Sequence, residues 1–381
     1  MTTDTELAAR IHGAEGQGMA VVTGGGSGAL ATLLQVPGAS RTLLDACIPY
    51  SQRALEQFLG GRPDRACDAP TARALAMAAF HHARSLSGTV TGLFGVSCTA
   101  SLVTDRPKRG AHRVYVGLQT AAASDLWSVV LTANARTRTE EEALCTRLVL
   151  NAVAEAKQVT PGDPPAWLPG EELTTDRCHA PAHWQDLLLD RTRATAHDAA
   201  VSPAPGEVSR LVFPGAFNPV HDGHLGMARV ASDMTGLPTE FEVCIRNVDK
   251  PPLDYAAIRD RVAQLPAAAD IWLTATPTFT DKARMFGGAH FIVGVDTLAR
   301  IADPRYYGDG SADPTARDAA FSAIAAAGCS FLVFGRHDGE RFVGIDDLTL
   351  PRGLRTLCTA VPEAAFRHDL SSTELRKGPS R

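Results

Sequence analysis

Gly215-Ala-Phe-Asn-Pro-Val-His-Asp-Gly-His224 is the stretch from which the rest of the chain is read. It follows Arg210-Leu-Val-Phe-Pro214, an apolar run of strand composition, and leads into a segment of helical period over about 223–235. A strand, a glycine turn and a helix in that order form the usual phosphate seat of α/β proteins, because the first amides of the helix have no intrahelical acceptor. Gly215 permits a tight turn and close approach of the backbone to a ligand. His221 and His224 are three residues apart, so both imidazoles project on one side of the helix start. Two imidazole donors beside open amides suit a polyphosphate. A surface histidine pair and a metal pair are the bland readings of the same residues.

Outward from this stretch, residues 241–245, 271–274, 290–295 and 330–334 read as short strands with Ala-rich helices between them. That alternation implies a doubly wound parallel sheet, so the fold class is α/β. The first half has strand-like segments at 19–23, 89–96, 113–120 and 127–132, and helical ones at 29–34 and 71–84. Thr139-Glu-Glu-Glu142 opens a further helix running to about Ala156, its acidic first turn complementing the helix dipole. Residues 160–209 are punctuated by Thr160-Pro-Gly-Asp-Pro-Pro165 and Ser202-Pro-Ala-Pro-Gly206 around one helix at 184–193, and read as a linker. The expected division is residues 1–159, a linker over 160–209, and a second domain over 210–381.

A length of 381 residues corresponds to about two domains. With 45% hydrophobic and 21% charged residues, both halves can bury ordinary cores, and 33 Gly and 24 Pro are too few for a low-complexity chain. There is no apolar run of membrane-spanning length. The acidic, polar start Met1-Thr-Thr-Asp-Thr-Glu-Leu7 is unlike a secretory signal, so a cytoplasmic protein is expected. A net charge of −5 argues against nucleic acid as a partner. The eight cysteines contain no Cys-x-x-Cys pair and suggest neither a disulfide framework nor a zinc site. Cys178-His179 with His183 lacks a fourth ligand, so no protein-bound metal is expected. Basic charge is carried mainly by Arg; of the five Lys, Lys250 and Lys377 stand beside motifs.

His221-Asp-Gly-His224 resembles the signature of the His-x-Gly-His nucleotidyltransferase superfamily, and within it the nicotinate/nicotinamide mononucleotide adenylyltransferases. Three later segments are similar to that family's, in its order. Phe291-Ile-Val-Gly-Val-Asp-Thr-Leu298 resembles its Gly-x-Asp segment at a strand end, Phe331-Leu-Val-Phe-Gly-Arg336 its next strand, and Leu370-Ser-Ser-Thr-Glu-Leu-Arg376 its C-terminal Ser-Ser-Thr-x-x-Arg signature. The resemblance implies a Rossmann-like sheet. It also implies in-line attack by an acceptor phosphate on the α-phosphorus of a nucleoside triphosphate, with Mg2+ on the triphosphate and release of pyrophosphate. A phosphate acceptor is already largely ionised at neutral pH, so no general base is required, and catalysis is positioning plus charge stabilisation.

On this reading His221, His224 and Arg376 are the catalytic residues. Gly215, Ala216, Phe217, Asn218, Gly294, Asp296, Arg336, Ser371, Ser372 and Thr373 bind nucleotide, and Lys250 is a candidate for the acceptor phosphate. The C-terminal signature also reads unaided: Ser371 or Ser372 caps a helix, and Arg376, one turn on, clamps phosphate oxygens. The acceptor region departs from the family's commonest pattern after Lys250 and at Thr274-Ala-Thr-Pro-Thr-Phe-Thr280; Trp272 and Phe279 are assigned to the core. The acceptor and the base therefore stay open, a cytidylyltransferase or another phosphorylated acceptor being the alternative. A non-catalytic nucleotide-binding scaffold is a further one, against which His221, His224 and Arg376 speak.

In the first half, Thr23-Gly-Gly25, Val36-Pro-Gly-Ala-Ser40 and Pro49-Tyr-Ser51 are similar in order and spacing to the CinA-like domain, over about residues 5–157. That family includes nicotinamide mononucleotide deamidases. Residues 92–120 are a weaker match, and Arg136 or Arg138 stands at the family's late basic position. Active relatives carry Ser-Cys where this chain has Val21-Val22, and a Lys where it has Leu55. Ser97-Cys-Thr-Ala-Ser101 replaces an Ala-Gly-Pro loop. Neither Val nor Leu can attack an amide, so a domain without deamidase activity is expected, one that assembles a homo-oligomer or regulates. The loop at Gly24-Gly25-Gly26 retains the option of holding a phosphate.

Overall fold

The computed structural model describes residues 2–105, 110–204, 208–246, 252–307, 312–337 and 341–366. The chain forms two compact units, Met1–Leu189 with Arg246–Ala257, and Asp190–Ile245 with Ile258–Arg381. No described helix is long and apolar enough to cross a membrane.

The first unit runs α1 (Asp4–Gly13), β1 (Gln17–Thr23), α2 (Ser27–Gln35), β2 (Leu43–Cys47), α3 (Gln52–Leu59), α4 (Ala69–Leu86), β3 (Leu93–Ser101), β4 (His112–Thr120), β5 (Ala123–Leu131), α5 (Arg138–Ala156), β6 (Thr174–His179) and α6 (Ala182–Leu188). Its sheet has the order β2-β1-β3-β4-β5-β6. β1 is parallel to β2 and β3, and the other neighbours are antiparallel. Side chains alternate across a strand, so β1 sends Met19 and Val21 into one core with Leu55, Leu59 and Leu75, and Ala20 and Val22 into another with Leu30 and Phe94. α1 and α5 start at Thr3 and Thr137, whose hydroxyls cap amides while Glu6 and Glu140 reach back. α4 lies close on the sheet because Gly95 has no Cβ; one added there would stand 2.2 Å from the Ala76 carbonyl oxygen. The strand expected from residue 89 begins only at Leu93. Before it, hydroxyls of Ser87 and Thr89 accept from the amides of Thr89 and Thr91, and Gly92 turns with φ +68°.

The second unit contains β7 (Ala194–Ala196), β8 (Arg210–Pro214), α7 (Asp222–Thr235), β9 (Thr239–Cys244), most of α8 (Tyr255–Val262), β10 (Ile271–Thr274), α9 (Phe279–Met285), β11 (Ala289–Gly294), α10 (Val295–Ala302), α11 (Pro314–Ala326), β12 (Ser330–Phe334), the small hairpin β13 (Arg336–His337) and β14 (Phe342–Val343), α12 (Arg352–Arg355) and β15 (Cys358–Ala360). Its seven-stranded sheet has the order β15-β12-β11-β8-β9-β10-β7, parallel except for β7. β8, β11 and β12 are continuous apolar runs because both faces are covered; Phe291, Leu298, Phe321 and Phe331 are in the core. The chain moves from β8 out to β9 and β10, then returns to β11 on the other side of β8. Such a switch point opens a crevice outside the carboxyl ends of the strands, where α/β proteins bind ligands.

Residues 160–209 are not a bare linker. They supply the edge strand β6 to the first sheet and β7 to the second. Neither shows a local strand signal. β6 is mostly solvent-facing and lacks apolar alternation, and β7 has three residues, so both exist through pairing with distant partners. A second departure from the expected division is that 246–257 belongs with the first unit although the chain around it belongs to the second.

Candidate active site at the carboxyl edge of the second sheet

β8 ends at Pro214, and the Gly215 amide donates to the Glu242 carbonyl of β9 at 3.0 Å. A Cβ on Gly215 would stand 2.3 Å from the Phe217 ring, so the turn needs glycine for space. Phe217 has φ +44°, a region that bulky residues rarely enter. Its ring is fully buried, edge-on to Phe213 at 5.4 Å, Phe241 at 5.5 Å and His224 at 5.3 Å. Burying such a ring is worth roughly 2 kcal/mol, enough to offset the backbone conformation. Phe217, expected as a nucleotide contact, has its side chain in the core, edge-on to His224. Two residues of the following segment brace the loop: Arg261 donates to the Ala216 carbonyl at 3.0 Å, and the Val220 amide donates to Gln264 Oε1 at 3.2 Å. Asn218, between them, is exposed.

His221 is the N-cap of α7. Its Nδ1 accepts from the Gly223 amide at 3.1 Å, while His224 Nδ1 accepts from the His221 amide at 3.3 Å. The two imidazoles thus make the reciprocal cap that Ser and Glu make elsewhere. With Nδ1 accepting in both rings, the proton of the neutral imidazole sits on Nε2. The rings lie 3.9 Å apart between centroids and 33° inclined. Two Nε2–H donors therefore stand side by side at the positive end of α7.

Across the switch point, Phe291 pairs with Val212, and β11 ends at Gly294 as β8 ends at Pro214. Gly294 caps α10 without a side chain, and the space where its Cβ would be is open. Asp296, in the first turn of α10, takes Arg336 Nε at 3.0 Å from the end of β12. The strand ends β8, β11 and β12 thus bring together three of the four sequence motifs. Ser371, Ser372, Thr373 and Arg376 lie outside the described residues, as does Lys250. Phe366 packs against α7. A Cβ on Gly226 would stand 2.9 Å from its ring, which also meets Phe334 edge-on at 5.2 Å. Trp272 lies 6.3 Å from Phe286, and Phe279 lies 5.5 Å from Phe291, both half-buried against the core. No group of three His, Cys, Asp or Glu able to hold a metal occurs among the described residues.

In the first unit, Val21, Val22 and Leu55, the residues at the deamidase positions, are all buried in apolar clusters. The three glutamates opening α5 do more than face a dipole. Glu140 caps its own helix, Glu141 takes His112 Nδ1 at 2.6 Å in the core, and Glu142 reaches the start of α2. There Glu142 Oε1 accepts from the Ser27 hydroxyl at 2.9 Å and the Gly28 amide at 3.2 Å. A carboxylate of the same unit thus takes the hydroxyl and the amide that follow the Gly24-Gly25-Gly26 loop. Arg138 donates to the Gly24 carbonyl at 2.9 Å, and Arg136 is committed to Glu171 at 2.6 Å. Arg261, Gln264, Phe366 and Glu142 have no sequence signal of their own; each acts on a segment far from it along the chain.

Residues 212–378 match the Cytidylyltransferase-like family. Among solved structures, the chain is similar to the competence/damage inducible protein CihA from Agrobacterium tumefaciens, 17% identical over 40% of this chain and 94% of that one, with a TM-score of 0.33. It is also similar to a competence-damaged protein (CinA) superfamily protein from Escherichia coli, 12% identical over 40% and 90%, TM-score 0.32. A third is the competence damage-inducible protein A (ComA) from Klebsiella pneumoniae, 14% identical over 40% and 96%, TM-score 0.31. No curated protein matches the chain. The matched segment starts within β8 and takes in the histidine pair, Gly294, Asp296 and Arg336: this segment is similar to the Cytidylyltransferase-like family, which supports a nucleotidyltransferase.

Proposed function

We propose that the second unit transfers the adenylyl group of ATP to the phosphate of nicotinate or nicotinamide mononucleotide, releasing pyrophosphate. The observation that carries this reading is the pair of imidazole Nε2–H donors fixed at the start of α7, beside the switch point of the sheet. An acceptor phosphate oxygen bonds to the α-phosphorus as the bond to the bridging α–β oxygen breaks, and pyrophosphate leaves with that electron pair. His221 and His224 donate to the oxygens on which charge grows, an interaction stronger in the transition state than in the bound substrate. Gly294 leaves room for the nucleoside and Asp296 meets it. Ser371, Ser372, Thr373 and Arg376 hold the β- and γ-phosphates, and Lys250 the acceptor phosphate. Mg2+ bound to the triphosphate neutralises part of its charge.

The acceptor is supported by the likeness of residues 5–157 to a family that includes nicotinamide mononucleotide deamidases; that half serves assembly into a homo-oligomer, in the cytoplasm. The second reading, cytidylyl transfer to another phosphorylated small molecule, is favoured by the family match over 212–378. The test measures pyrophosphate release while crossing four nucleoside triphosphates with several phosphorylated acceptors. Release with ATP and a pyridine mononucleotide is the expected result. Release with CTP alone moves the reading to the second, and no release with any pair refutes both.

A further inference from the structure

On the face of β9 turned toward α9, two carboxylates are each gripped by a donor from β10 and by a cation. Glu240 takes Trp272 Nε1 at 2.6 Å and lies 3.5 Å from Arg210 Nη1 of β8. Glu242 takes the Thr274 hydroxyl, and Lys282 Nζ of α9 at 2.6 Å. Trp272 stands level with Glu242, and Thr274 with Cys244, so both donors reach back along β9 by two residues. The second grip is sealed from water: Glu242 is 1% exposed, Lys282 4% and Thr274 0%. A buried ion pair is often no better for stability than apolar residues of the same volume, and Ala283 and Phe286, the core residues of the same helix, are apolar. What sets Glu242 apart is its main chain. It stands level with Pro214, and its carbonyl accepts from the Gly215 amide at 3.0 Å. Its neighbour Phe241 turns to the other face of the sheet, edge-on to Phe217 at 5.5 Å, and Phe217 is edge-on to His224 at 5.3 Å. All of these residues belong to the second unit.

We propose that Lys282 and Thr274 are positioning residues of the transfer site. They hold the Glu242 side chain. Glu242 in turn holds the Gly215 turn through its carbonyl, and the contact of Phe217 with His224 through Phe241. The end of β9 is thereby fixed beside the loop that leads to both imidazoles. The consequence for turnover rests on the transferase reading above; the fixing of the Gly215 turn does not.

The test compares the natural full chain with Lys282→Met, Thr274→Val, the double variant Lys282→Met/Glu242→Gln, and Trp272→Phe as control. Lys282→Met leaves a buried carboxylate without its cation and should lower the thermal midpoint. The double variant removes both charges and should regain most of that loss. Hydrogen exchange over residues 215–224 should run about fivefold faster in Lys282→Met and in the double variant, and about twofold faster in Thr274→Val. Trp272→Phe releases Glu240, two residues farther from the edge of the sheet, and should leave these amides unchanged. In Lys282→Met kcat for pyrophosphate release should fall roughly tenfold and stay within about threefold of that value in the double variant, with KM for the triphosphate changed less. A double variant in which exchange and kcat return to the natural values together with the midpoint means a pair that serves stability alone, and overturns the proposal. Unchanged exchange in Lys282→Met or Thr274→Val, or equal acceleration in Trp272→Phe, overturns it as well. Absence of pyrophosphate release from the natural protein overturns the transferase reading, and the exchange pattern still decides what Lys282 and Thr274 do.

Discussion

His221 and His224 spend their Nδ1 atoms on backbone amides, which leaves the chemistry to Nε2. His224→Ala removes one donor aimed at the transferring group and should lower kcat by roughly 10²–10⁴-fold, with the thermal midpoint little changed; near-normal turnover in a folded variant would refute the role. Two glycines nearby separate support from binding. Gly215→Ala drives a methyl into the buried Phe217 ring and should destabilise by roughly 1–3 kcal/mol while lowering kcat. Gly294→Ala meets nothing in the fold, so its stability should hold while KM for the triphosphate rises; unfolding curves and initial rates for both variants check the contrast. The histidine pair was legible from spacing alone, because three residues on a helix start place two rings together. Phe217 was not, since nothing local tells a ring aimed at a ligand from one aimed at the core.

At the scale of elements, the loop after β5 depends on one buried carboxylate. Glu171 accepts from both Arg136 Nη atoms at 2.6 Å, the Thr132 amide at 2.7 Å and the Leu168 amide at 2.9 Å. The Arg136 guanidinium, helped by the two amides, holds its carboxyl down at about 2, against an ordinary value of 4.5. A depressed native pKa means that the unfolded chain takes up the proton first. The contribution is therefore complete above pH 4.5 and is lost as pH falls from there toward 2. Glu171→Gln should cost about 3 kcal/mol at pH 7, and the gap should narrow at pH 3; urea unfolding at the two pH values measures it, and a gap independent of pH would rule out the ion pair as its source. The elements with strong local patterns, β8, α7, β11, β12, α4 and α5, were legible with ends within a few residues. β6, β7 and the separate tasks of Glu140, Glu141 and Glu142 were not, because pairing partners and side-chain reach are properties of the folded chain.

For the whole molecule, the division into two α/β units follows from the restart of strand–helix alternation near Arg210, whereas the return of 246–257 to the first unit leaves no trace in composition. The three positions compared above with the deamidase motif all lie in the core. Val21 and Val22 point to opposite faces of β1 and are sealed in separate clusters, and Leu55 packs with Met19, Leu59 and Leu75. The full chain should accordingly release no ammonia from nicotinamide mononucleotide, and steady release would overturn this account. Restoring the letters should not restore the reaction. In the triple variant Val21→Ser, Val22→Cys, Leu55→Lys, the new ammonium lies in an apolar cluster, where an unpaired charge costs several kcal/mol. A lower thermal midpoint with no ammonia is the expected result. A variant that keeps its stability and turns over would mean that the first unit retains a working pocket around those positions.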